Sequence, residues 1–220
     1  MKILKKKTEK LLIREFISIF ESLSKKRKLE RKRFSFVLTG GPSPINLYKS
    51  LSKSRVNWNN IDLFWGDERF VSQKSIYSNY RLAKKFLINN INISKKNIFF
   101  IDTKKKDVHS SSKDYEKKIK KYFKNKKISF NLVLLGMGQD GHVASVFSND
   151  INIKKKGIIS SVIRNDFKRI TLNIKTINHS EKIFLWLNSK SKTKIYNKIK
   201  NNVKVPVKYL NKKKTSIFCL

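Results

Sequence analysis

Apolar residues recur along this chain in two rhythms. Phe34–Thr39, Ile61–Trp65 and Asn131–Leu135 are short, nearly unbroken apolar runs. Runs of that length without polar alternation predict strands covered on both faces. Elsewhere the apolar positions return every three or four residues. Leu11, Leu12, Phe16, Ile19, Phe20 and Leu23 predict an amphipathic first helix. Tyr80, Leu82, Ala83, Phe86 and Leu87 predict a second, capped by Ser78, and a third is expected from Ser112 to Asn125. Ile158–Ile163, Arg169–Ile174 and Lys182–Leu187 read as later strands, followed by a helix near Lys192–Ile199; no clear pattern emerges from Asn201 onward. Strands alternating with helices predict an α/β fold with a mainly parallel sheet, and no linker divides residues 1–220 into two domains.

The three early strands each run into a loop that carries glycine. Six of the 7 glycines fall at Gly40 and Gly41, at Gly66, and at Gly136, Gly138 and Gly141. In a parallel sheet, loops leaving the carboxyl ends of strands converge on one crevice, where ligands bind. Gly40-Gly-Pro-Ser-Pro44 suits close backbone approach to an anion such as phosphate, although a diglycine alone is equally an ordinary turn. Gly66-Asp-Glu-Arg69 sets two carboxylates and a guanidinium at a strand end, where a surface ion pair is the plainer alternative. Gly136-Met-Gly-Gln-Asp-Gly-His142 carries the most chemistry. His142 ends a glycine-rich loop two residues after Asp140, a position suited to general acid–base work near neutral pH. His109 and His179 lack such a setting and read as structural. No Gly-x-Ser-x-Gly elbow is present, and no acid follows the glycine loop where a dinucleotide's ribose would need one. The three histidines lack metal-ligand spacing, and Cys219 is the only cysteine, so no metal or cofactor is expected.

Charge changes this picture less than its size invites. With 52 Lys and Arg against 15 Asp and Glu, the formal net charge is +37, which raises the possibility of a nucleic-acid-binding protein. The lysine runs are spread along the whole chain, from Lys5–Lys7 and Lys25–Lys28 through Lys104–Lys106, Lys124–Lys127 and Lys154–Lys156 to Lys212–Lys214. A dedicated arm concentrates charge on one face or tail. Abundant Asn and Ile beside the Lys point to a compositional drift of the whole sequence, so no specific nucleic acid is expected as a partner. No apolar run approaches the ~20 residues of a membrane span, and no cleavable leader follows the basic start. A cytoplasmic protein is expected, with no membrane partner, as a monomer or small homo-oligomer.

Taken in order, the three loops resemble the 6-phosphogluconolactonase family. Thr39-Gly-Gly-Pro-Ser-Pro44 resembles its Ser-Gly-Gly-Ser-Thr-Pro loop, and Phe64-Trp-Gly-Asp-Glu-Arg69 with Ser78-Asn-Tyr80 resembles its Asp-Glu-Arg segment and following helix start. Leu135-Gly-Met-Gly-Gln-Asp-Gly-His-Val-Ala-Ser-Val-Phe147 is similar to the signature around the family's catalytic histidine. Arg169-Ile-Thr171 and Lys192 match a later strand and helix, so the resemblance spans about Phe34 to Ile199. It implies a Rossmann-like α/β/α sandwich shared with sugar-phosphate isomerases and deaminases. It also implies hydrolysis of a sugar-phosphate lactone, 6-phospho-D-glucono-1,5-lactone, with His142 as base and Asp140 or Asp67 orienting the site. Gly40, Gly41, Ser43, Arg69, Arg169 and Lys192 are the implied substrate-binding residues. Pro42 and Ser43 replace a Ser-Thr pair, Ser148 stands in place of proline, and Ser189 in place of glycine. The deaminase branch shares Asp-Gly-His but orients it with a glutamate five residues later, where this chain has Phe147. An inactive scaffold of the same fold is the remaining alternative.

Overall fold

The computed structural model describes residues 1–148, 157–200 and 205–220. The Lys154–Lys156 run and the first residues of the tail after Asn201 lie outside them. In chain order the strands are β1 (Lys2–Lys5), β2 (Phe34–Leu38), β3 (Ile61–Trp65), β4 (Asp67–Arg69), β5 (Ile98–Phe99), β6 (Leu132–Leu135), β7 (Ile159–Ile163), β8 (Lys168–Leu172), β9 (Lys182–Leu187) and β10 (Thr215–Cys219). The helices are α1 (Glu9–Leu29), α2 (Ile45–Leu51), α3 (Asn79–Phe86), α4 (Val108–Tyr122), α5 (Ile174–His179) and α6 (Lys190–Ile199).

Among the described residues, seven strands form one parallel sheet in the order β1-β10-β9-β6-β2-β3-β5. The three apolar runs with glycine loops are therefore neighbours, β6-β2-β3, at its centre. From β2 the chain builds outward to β3 and β5, then crosses to β6 and builds the other way. The crevice at that reversal is where the Gly40 and His142 loops meet. Both faces of the sheet are covered. On one, Phe16 and Phe20 of α1 pack their rings on Phe184, Trp186, Phe218, Phe34 and Phe36. On the other, Tyr122 of α4 meets Phe64 and Phe99 edge-on, at 4.9 and 5.2 Å between ring centroids. Each such ring taken fully out of water contributes about 1.5–3 kcal/mol. No described helix is long and apolar enough to cross a membrane.

Several boundaries differ from expectation for local reasons. α1 starts two residues earlier, because Thr8 accepts a hydrogen bond from the Leu11 N–H as its cap, and it runs on to Leu29. α4 starts at Val108 because Asp107 caps it, accepting from the Ser110 N–H at 2.7 Å. It stops at Tyr122 rather than Asn125, since Lys124 and Asn125 adopt left-handed φ of 51° and 56°. The expected strand Arg169–Ile174 ends at Leu172, and Ile174 begins the short helix α5. β7 and β8 do not join the large sheet. They pair antiparallel, and β8 pairs with β4 in a second sheet, β4-β8-β7.

Candidate active site

The crevice rim is held by buried tyrosines. Where β2 and β3 end, their last peptide groups run out of sheet partners, and a buried peptide group without one is costly. Tyr48 of α2 donates its hydroxyl to the Thr39 carbonyl at 2.7 Å and accepts from the Thr39 N–H at 3.0 Å. Tyr115 of α4 does the same for Trp65, accepting at 2.8 Å and donating at 3.0 Å. Burial pushes both phenols well above their ordinary range. Thr39 Oγ1 then accepts from the Gly136 N–H at 3.0 Å, tying the end of β2 to the start of the histidine loop.

That loop forms one wall. Gly141 sits at φ 82°, a left-handed conformation that favours glycine, and the Gly138 N–H donates to the His142 carbonyl at 3.0 Å. The turn brings Asp140 Oδ1 to 2.6 Å from His142 Nδ1. A carboxylate there places the proton on Nδ1 and leaves Nε2 as the basic nitrogen. Desolvation raises the Asp140 carboxyl, but the charge and hydrogen bonds of His142 outweigh it and hold it below the ordinary carboxylate range. The Phe147 ring lies 4.5 Å from the imidazole. A Cβ on Gly138 would overlap the imidazole, so this position needs glycine.

The Gly40 loop and α6 form the opposite wall. Gly41 has φ 73° with open space around it. The N–H groups of Gly40, Gly41 and Ser43 have no acceptor among the described residues. Pro42 and Pro44 have no N–H to offer. The Ser43 carbonyl accepts from Trp186 Nε1 and Asn188 Nδ2, both at 3.2 Å, which pins the loop to the end of β9. Lys192 reaches across from α6 and donates to Ser43 Oγ at 2.5 Å. Burial lowers its amine below the ordinary lysine range, a penalty that an arriving anion relieves. Ser189 caps α6, accepting from the Lys192 N–H, which gives this departure from the family loop a structural role.

The floor is the segment where β3 runs straight into β4. The Asp67-Glu68 pair is no surface ion pair, for both residues are buried. Asp67 Oδ2 accepts from Ser145 Oγ at 2.6 Å, and Oδ1 accepts from Asn79 Nδ2 at 3.2 Å. Glu68 accepts from the N–H groups of Arg69, Asn79 and Tyr80 at 2.7–2.8 Å and from Ser78 Oγ at 3.1 Å, so it anchors the first turn of α3. Burial pushes its carboxyl up to about 7 against the pull of those N–H donors. Gln at this position would turn an amide N–H toward some of these donors. Glu68→Gln is therefore expected to destabilise the fold by about 2 kcal/mol or more. Urea unfolding with an unchanged midpoint would contradict this.

Gly40, Gly41, Ser43, Asp67, Arg69, His142 and Lys192 all line one cleft of about 180 Å³. Asp140 and Arg169 line an adjoining groove that shares Asp67, Arg69 and His142 with it. Arg169 thus stands apart from the glycine loop, with Asp166 bound to both its terminal nitrogens at 2.8 and 2.5 Å. Arg69 donates to the Tyr77 carbonyl at 2.8 Å. Among the described residues, no group of three or more His, Cys, Asp or Glu is placed to hold a metal ion.

Comparison with known families extends over nearly the whole chain. The family described as glucosamine-6-phosphate isomerases/6-phosphogluconolactonase matches residues 7–219. The chain belongs to this family. A 6-phosphogluconolactonase of Thermotoga maritima is 29% identical over 191 residues, covering 86% of this chain and 84% of that protein. One from Haemophilus influenzae is 32% identical over 168 residues, covering 74% and 71%. The crystal structure of the Thermotoga maritima 6-phosphogluconolactonase superposes with a TM-score of 0.87 at 25% identity, covering 98% of this chain and 97% of that one. A monomeric glucosamine-6-phosphate deaminase superposes at 0.84 with 18% identity, covering 99% and 96%, which reflects the shared fold.

Within this family fold, sequence reasoning missed two residues that hold the cleft together. Asn79 and Ser145 carry no chemistry-bearing signature alone, and only their place against Asp67 reveals them. Gly40 is held to glycine by its neighbour in the cleft. A Cβ there would occupy the Asn79 carboxamide, so side-chain packing already requires this glycine. Nothing in the structure explains Ser148.

Proposed function

We propose that this chain hydrolyses 6-phospho-D-glucono-1,5-lactone to 6-phospho-D-gluconate, the second step of the oxidative pentose phosphate pathway, with His142 activating the water. The observation that carries this reading is the pairing of two walls across one cleft. A carboxylate-oriented imidazole lines one side, and N–H groups with no acceptor among the described residues line the other with a desolvated lysine. That arrangement suits a substrate with an anion at one end and an electrophilic carbon at the other.

His142 Nε2 takes a proton as water oxygen bonds to C1, and the carbonyl electrons move onto its oxygen. When that oxyanion collapses, the C1–ring-oxygen bond breaks, and His142 returns the proton to the departing ring oxygen as a hydroxyl. The product leaves with a carboxylic acid at C1, which ionises. A lactone is an activated ester, so positioning and charge stabilisation supply most of what is needed. The Gly40, Gly41 and Ser43 N–H groups with Lys192 hold the phosphate, and Arg69 steadies the oxyanion. Asp140 fixes the imidazole and Asp67 orients the substrate, while Arg169 shapes the outer groove.

The test follows loss of freshly made lactone with purified protein against its spontaneous hydrolysis. No acceleration would sink the reading. Ammonia release from glucosamine 6-phosphate at a similar rate would favour the deaminase branch, whose glutamate position holds Phe147 here. Lys192→Met is expected to raise KM about 10–100-fold, the worth of one charge-assisted hydrogen bond of ~1.5–3 kcal/mol, with little change in kcat. A KM within twofold of wild type would remove Lys192 from the phosphate site. The enzyme is assigned to the cytoplasm, and its +37 charge to sequence-blind, salt-sensitive contacts with polyanions.

A further inference from the structure

We infer that Asn79 is a positioning residue that sets Asp67 and the Gly40 loop together for the substrate, an inference that rests on the reading above. Its side chain is almost wholly buried in the cleft lining, between the phosphate wall and the floor. Nδ2 donates to the Asp67 main-chain carbonyl at 3.0 Å and to Asp67 Oδ1 at 3.2 Å. Ser145, three residues beyond His142, holds the other carboxylate oxygen. The plane of Asp67 is therefore fixed from two sides, by α3 and by the loop that presents the base.

The other end of the carboxamide meets the glycine wall. Oδ1 lies where a Gly40 Cβ would be and has no hydrogen-bond partner among the described residues. Turning the amide over would aim its oxygen at two acceptors of Asp67, so the donor contacts fix its orientation. A buried acceptor left unpaired is unfavourable, and here it accompanies one donor contact to the main chain and one to the carboxylate of Asp67, which lines both halves of the cleft. Asn79 transmits the position of the phosphate loop to Asp67 through a single rigid amide.

Asn79→Asp is nearly isosteric and tests the donor. The introduced carboxyl would lie within hydrogen-bond distance of Asp67, and two such carboxylates share one proton. When protonated, it restores an O–H donor to Asp67; when ionised, it repels it. The variant's kcat/KM is expected to be at least ~10-fold below wild type in mildly alkaline buffer. The ratio of variant to wild type should then rise as pH falls. Glu68 and Tyr48 beside Asp67, and Arg69, His142 and Lys192 around the cleft, are present in both proteins, so their effects largely divide out of that ratio. A merely structural role would leave it flat. Wild-type protein without lactonase activity would sink the functional reading instead, and a second arm then tests the clamp without turnover. Gly40→Ala should lower the thermal midpoint in the wild-type background but barely lower it when Asn79→Ala has emptied that space. A pH-independent ratio near one, or additive thermal effects, would overturn the assignment.

Discussion

His142→Asn is expected to leave the fold and substrate binding intact while lowering kcat by about 10²–10⁴-fold, the usual loss on removing a general base. Asn preserves the size of the side chain and can still hydrogen-bond to Asp140, so the loop from Gly138 to His142 keeps its turn. It cannot take up the water's proton. The loss belongs in kcat, with KM within a few-fold of wild type. Wild-type kcat/KM should fall on the acid side, as catalysis by a general base requires. Asp140 is held below the ordinary carboxylate range by His142, so the carboxylate that orients the ring persists to lower pH than an ordinary one. Stopped assays across pH on both proteins check this. A folded variant with near-normal turnover would leave the mechanism without its base.

Gly138→Ala is expected to be nearly as damaging, although the residue takes no part in the chemistry. Its new methyl would overlap the His142 ring and press on Asp140 Oδ1. The backbone can relieve this only by loosening the Gly138–His142 hydrogen bond or turning the imidazole away from Asp140. Either movement displaces Nε2 by an amount that typically costs about 10²-fold in rate. The thermal midpoint should change much less than kcat/KM. Equal losses in both would mean that the substitution acts by unfolding the loop.

The centre of the sheet was legible because β2, β3 and β6 are buried on both faces and read as continuous apolar runs. His142, Asp140 and Gly138 were legible because a glycine-rich turn between a strand and a histidine is unusual in a chain with 7 glycines. The edges were not. β1 (Lys-Ile-Leu-Lys) and β10 pair at the margin of the sheet, where lysine-rich surroundings hide any alternation. The second sheet was hidden for a different reason, since β4 is three residues long and pairs Asp67 with Thr171 and Arg69 with Arg169, far along the chain. Local pattern cannot show such pairing. Asn79 illustrates the same limit in the site, because its meaning lies in Gly40 and Asp67, which only the fold brings beside it.

The two tyrosines that close the ends of β2 and β3 have a consequence far from catalysis. Each phenol hydrogen is committed to a main-chain carbonyl, and phenolate would face that carbonyl with no donor between them. Because burial raises the folded-state value, the contribution of Tyr48 and Tyr115 to stability is fully present below the ordinary phenol range. It is lost as pH rises through the folded-state value. In an alkaline titration followed by ultraviolet absorbance, these phenols should stay silent through the ordinary phenol range. Their signal should then appear in one step, together with loss of the sheet, making tyrosinate absorbance a built-in reporter of when the crevice comes apart.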